Sequence, residues 1–174
     1  MQKNRTIAIR SGLSWGIILA LCELGFGMVV YVLLPSITGN LKNFQIDLIL
    51  PVITVYLAYL FLLIAVYFAA GMITAKWLAS RPLKSTEIAI LGALSGATAE
   101  VVRTIVAIPV NLAIVLLFPL AQDGQNTVLA AIGNGAIRLV CGMPVFVILA
   151  AIVAGLSAYT FSLVFFRPES SAQK

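Results

Sequence analysis

Histidine is absent from the 174-residue sequence, and that absence removes whole classes of chemistry. Imidazole general bases, Ser-His-Asp hydrolysis, histidine zinc sites and histidine-ligated haem are all excluded. Charge is scarce as well. Only 10% of residues are charged against 61% hydrophobic, and the mean hydropathy is +1.09. A water-soluble domain does not have this composition; an integral membrane protein does. Cysteine is limited to Cys22 and Cys141, each in apolar surroundings without a CxxC or Cys/His spacing. They read as small core residues rather than as a disulfide or a metal site. Aspartate occurs only at Asp47 and Asp123, in stretches with loop composition, so the paired intramembrane aspartates of a protease are missing. The expectation is a protein that is not an enzyme and carries no cofactor and no metal.

Four stretches are long and apolar enough to cross a bilayer, which takes about 20 residues: 12–34, 48–75, 88–118 and 127–166. The first is too long for a signal-peptide core and has no small-x-small cleavage pattern, so it reads as a retained helix. Pro35 and Gly39, then Arg81 and Pro82, then Pro119 and Gly124 punctuate the intervals. The fourth stretch does not fit one helix, since 40 residues at about 1.5 Å each would reach twice the hydrocarbon thickness. Pro144 suits the first turn of a helix, so the last span is set at 144–166. Residues 127–142, with Gly133, Asn134 and Gly135, become a separate interfacial or re-entrant element. The fold class is therefore all-α. A single polytopic domain over 1–174 holds four transmembrane helices in a bundle, plus that extra element.

Basic residues give the orientation. Lys3, Arg5, Arg10, Lys76, Arg81, Lys84, Arg167 and Lys174 fall on one side of four alternating spans, and only Lys42 on the other. This places the protein in the cell membrane with both termini cytoplasmic. The net charge of +5 then marks topology and contact with anionic lipid rather than nucleic acid. Trp15 and Trp77 read as interfacial anchors near that side.

Against this apolar background stand Glu23, Glu100 and Arg103, each embedded in a spanning stretch. Counted from the cytoplasmic ends at about 1.5 Å per residue, they lie about 16, 18 and 22 Å deep, near one level. Charge at that depth costs at least a few kcal/mol unless it is paired. Glu100 and Arg103 are one helical turn apart, and Glu23 can reach the same arginine if the first and third spans pack together. Small residues permit that approach: Gly12, Gly16, Ala20 and Gly27 share a face with Glu23, and Gly92 and Gly96 share one with Glu100. These stripes predict that spans one and three touch through Gly16/Ala20 and Gly92/Gly96. The last span has its own stripe, Ala151, Gly155, Ala158 and Ser162. The second shows none as clear, and its Tyr56, Tyr59, Phe61, Tyr67 and Phe68 read as lipid-facing or wedge-like. Pro109 is expected to kink the third span.

Arg138 is the fourth member of the charge set, near the outer boundary unless 127–142 dips inward. If all four groups meet, they form a neutral lock that fixes helix register. If Arg138 stays at the rim, two carboxylates share one arginine, and charge balance requires a proton on one of them. A glutamate so placed is a proton-coupling site. A glutamate in the first of four spans resembles the small multidrug-resistance exporters at Glu23 and nowhere else, so no family follows from it. Two functions remain open: a non-catalytic membrane subunit or scaffold, and a small proton- or ion-coupled transporter using Glu23 and Glu100. The bilayer is the first expected partner, with other membrane subunits or further copies of the chain as candidates.

Overall fold

The computed structural model describes residues 2–29, 49–117, 136 and 138–165, all of them helical apart from the short connection at 79–84. Four long helices are present: α1 (Gln2–Met28), α2 (Ile49–Leu78), α3 (Ser85–Leu117) and α4 (Met143–Phe165), the last preceded by one π turn (Arg138–Gly142). Each contains a segment long and apolar enough to cross a membrane. Most of the interfacial or re-entrant element expected over 127–142 lies outside the described residues, and the side chain of Arg138 does too.

α1 begins ten residues before the apolar stretch at Gly12, because its first turns are polar yet helical. Hydroxyls there bond backward within the helix, as Thr6 does to the Gln2 carbonyl and Ser14 to that of Arg10, both at 3.1 Å. Such bonds hide a polar tip on a helix bound for an apolar environment. α2 and α3 join through a tight connection over 79–84. The Lys84 carbonyl accepts the first amides of α3, and Glu87 Oε2 accepts the Lys84 amide at 3.0 Å. This is one half of a capping box, and it fixes where α3 starts. α3 stays helical through Pro109, whose ring leaves the Ile105 carbonyl without its usual donor. Pro144 is the second residue of α4, directly after the π turn, so helical structure begins before it.

α3 is the central helix, packed most extensively against α4 and α1 on its two sides, while α2 touches all three. Glycines set the closest approaches. A methyl group added at Gly12 or Gly16 would meet the Ser95 carbonyl and Thr98, or Val102 and the Ala99 carbonyl. Gly92 and Gly96 behave differently from expectation, because their open faces meet Ala158, Ala154 and the Ala150 carbonyl of α4, not α1. At about 100° per residue, positions 92 and 96 sit roughly 100° around α3 from 95, 98 and 102, so the helix serves two neighbours with two faces. α2 carries a small-residue face after all: Ala70, Gly71, Thr74 and Ala75 are buried, and Gly71 abuts Ser157 and the Ala154 carbonyl.

The core lies around Leu19, Leu63, Val66, Tyr67, Ala99 and Ala150, with Trp15 packed against it instead of standing out as an anchor. Ala8, Leu78 and Leu91 form a second cluster at the end where α1 starts, α2 ends and α3 starts. Lys3, Arg5, Arg10, Lys76, Arg81 and Lys84 therefore gather at one end of the bundle. Neither thiol is a core residue. Cys22 is half-buried and Cys141 exposed. Outward surfaces are apolar, with Phe61 70% exposed, whereas the buried polar set includes Ser11, Thr74, Ser95 and Ser157. Polar inside and apolar outside is the arrangement a lipid solvent selects.

Candidate functional site

Arg103 places its guanidinium between two helices. On its own helix the Nε and Nη2 groups donate to Glu100 Oε2 at 2.7 Å and Oε1 at 2.6 Å, a two-pronged pairing that fits the flat fork of arginine to a carboxylate. The one-turn spacing of 100 and 103 makes this possible. Across to α1, Nη1 donates to Glu23 Oε2 at 2.5 Å. Depth along the sequence brings these three together, and the structure joins them in one contact network. All are buried: Glu100 is fully shielded, Glu23 3% exposed and Arg103 4%.

α2 completes the site with Tyr59 and Tyr67, two of the aromatic residues expected to be lipid-facing or wedge-like. The Tyr67 hydroxyl donates to Glu100 Oε2, and the Tyr59 hydroxyl donates to Glu23 Oε2 at 3.1 Å while accepting from Arg103 Nη1 at 3.0 Å. Tyr67 is fully buried and Tyr59 half-buried. A signal for them existed, since a phenol deep in a span needs a partner for its hydroxyl. Tyr56, Phe61 and Phe68 are exposed as expected for lipid-facing rings. Phe26 of α1 stacks on Tyr59, with ring centres 4.4 Å apart, and holds that phenol over Glu23.

The two glutamates sit in different surroundings. Glu100 accepts from Arg103 twice, from Tyr67, and from Thr104 at 3.2 Å, so each oxygen receives two donors. Four hydrogen bonds on one buried carboxylate, two of them from a guanidinium, fix its rotamer. Glu23 receives Arg103 and Tyr59 on one oxygen and lines a small cavity with Arg103, Thr104 and Phe146. Gly142 of the π turn and Met143 of α4 also line it. The Phe146 ring lies 5.8 Å from the guanidinium carbon, close enough for a cation–π contact. The cavity measures about 10 Å³, about the space one water molecule requires.

Among the described residues, two carboxylates thus meet one guanidinium, and no set of three His, Cys, Asp or Glu side chains could hold a metal ion. The packing stripes surround this cluster without joining it. Ala20 and Gly27 are buried on α1, and Gly155 faces Ala89 and Ala93 of α3. A comparison of the chain with family models, with curated proteins and with solved structures finds no match.

Proposed function

We propose that this chain is a non-catalytic, multi-pass membrane subunit or scaffold, and that Arg103 sets the register of α1 and α2 against α3. The observation that carries this reading is the saturation of the cluster. One guanidinium links carboxylates on two helices, both oxygens of Glu100 are fully engaged, and the adjoining cavity admits a water but no organic substrate. Ligand sites normally offer several hundred Å³. The gathering of six basic residues at one end supports an orientation with that end, and the N-terminus, in the cytoplasm. Cysteine labelling checks the orientation on a background lacking Cys22 and Cys141. A thiol placed at Ser80 should react only from the inner side, and reaction from outside intact cells would reverse the topology.

The lock is tested by a pair of substitutions. Glu100→Gln alone should lower stability in detergent by about 3–5 kcal/mol, because Arg103 loses its nearest counter-charge at depth. Adding Arg103→Met should recover much of that loss, since removing both ends of a buried pair costs less than removing one. Two simply additive losses would contradict a lock.

A second reading, a small proton- or ion-coupled transporter, is favoured by the position of the buried Glu23 on the cavity. An ionisable side chain within a spanning helix and on a cavity is a place where a proton or small cation can bind. In reconstituted vesicles this reading requires a flux driven by a pH or ion gradient and abolished by Glu23→Gln with the fold intact. Vesicles that pass nothing under any gradient leave the scaffold.

A further inference from the structure

Away from the charge cluster, an open groove of about 630 Å³ runs between α1 and α2 at the basic end, lined by Ile7, Arg10, Leu13, Ser14 and Trp77. The α1 residues recur at steps of three and four and so share one face of the helix. Arg10 is exposed and makes no ion pair among the described residues, and no carboxylate lines the groove. Glu87, in the first turn of α3, accepts the Lys84 amide of the adjoining connection. Exposed Lys3, Arg5 and Lys76 add positive potential at the same end. The Trp77 ring, 49% exposed, presents an aromatic wall of the kind that settles at the headgroup level of a bilayer.

The groove continues into an apolar track. Leu13, Ile17 and Leu21 follow at four-residue intervals and are all exposed. From Arg10 to Leu21 the helix rises about 16 Å, about half the thickness of the hydrocarbon core and hence the depth of one leaflet. We propose that this groove binds one anionic phospholipid, with its phosphate on Arg10, its glycerol region against Trp77 and an acyl chain along Leu13, Ile17 and Leu21. Charge selects the occupant, because a zwitterionic lipid gains little net attraction from an unpaired arginine flanked by further cations. The Ser14 hydroxyl already donates to the Arg10 carbonyl, so the headgroup contact rests on the guanidinium.

The sequence has two tryptophans, so Trp15→Phe leaves Trp77 as the sole indole reporter. In mixed bilayers, brominated phosphatidylglycerol should quench Trp77 with an apparent affinity about five-fold above that of brominated phosphatidylcholine, the preference that one basic residue supplies at a membrane surface. Arg10→Gln should bring the ratio close to one, whereas Lys84→Gln, which removes the same charge from the same end outside the groove, should leave it. Inorganic phosphate added to phosphatidylcholine bilayers should change nothing. Equal quenching by the two lipids, or a fall in Lys84→Gln as large as that in Arg10→Gln, would overturn the site and leave a diffuse surface potential. Trp15 packs against the core, so native mass spectrometry of the chain with Trp15 intact provides a second measurement. Retained phosphatidylglycerol should exceed phosphatidylcholine and be lost in Arg10→Gln; equal retention would also overturn the site.

Discussion

α3 meets α1 and α4 with equal intimacy but by different means. Toward α4 the contact is made of small uncharged groups, Gly92 and Gly96 against Ala150, Ala154 and Ala158. Toward α1 it begins in the same way, at Gly12 and Gly16, and ends in the Arg103–Glu23 ion pair. The two contacts carry different amounts of information. Alanines four apart nearly repeat themselves when a helix slides by one turn, about 6 Å, so the α4 contact is tight but weakly indexed. A single arginine facing a single glutamate has no second register to occupy. Close packing sets how near two helices come, and charge sets where along their length they stop.

That contrast can be attacked from either side. The largest effect after loss of an ion-pair partner is expected at Gly96→Leu, which drives a side chain into the Ala150 carbonyl. About 3 kcal/mol should be lost in detergent unfolding, because the obstacle is backbone and cannot swing aside. A stable Gly96→Leu protein with its α3–α4 cross-links shifted by one turn would show that this contact does slide. Tyr67→Phe should cost less, about 1–3 kcal/mol, by taking one of four donors from a carboxylate that stays buried. If Tyr67→Phe matched Glu100→Gln in its effect, the phenol rather than the arginine would be the main support of Glu100. The smallest change, and of opposite sign, should come from Gly25→Ala. Nothing lies within 4 Å of the added methyl group, so α1 gains helix propensity alone, about 0.5–1 kcal/mol. A loss of stability there would place an unseen partner against that face of α1.

Much of the cluster was legible from depth and polarity. Glu23, Glu100 and Arg103 stand out because charge within an apolar run has few stable options, and counting residues from each helix end puts them at one level. Tyr59 and Tyr67 were obscured because tyrosine is at home facing lipid, facing an interface or facing a core. Only the position of its hydroxyl along the span separates those cases. Gly92 and Gly96 were legible as a packing face, yet a stripe of small residues states that some helix comes close without stating which. The start of α1 was hidden for another reason: hydropathy registers the solvent a helix prefers, and the ten residues before Gly12 are helical without being apolar. The proposed orientation in the bilayer rests on the basic residues alone, because the positions of the helices relative to one another are the same for either direction of insertion.

The pairing of Glu23 with Arg103 spans 80 residues of chain, and synthesis makes that a wait. At about 5–20 residues per second, Glu23 is added to the chain some 4–16 s before Arg103. During that interval α1 must enter the membrane carrying a lone carboxyl, which is costly near the bilayer centre. Tyr59, on α2, emerges in between, 36 residues after Glu23, and donates a hydrogen bond to that carboxyl in the folded bundle. The order of the helices thus sets the order in which partners of this glutamate are made, the phenol before the guanidinium.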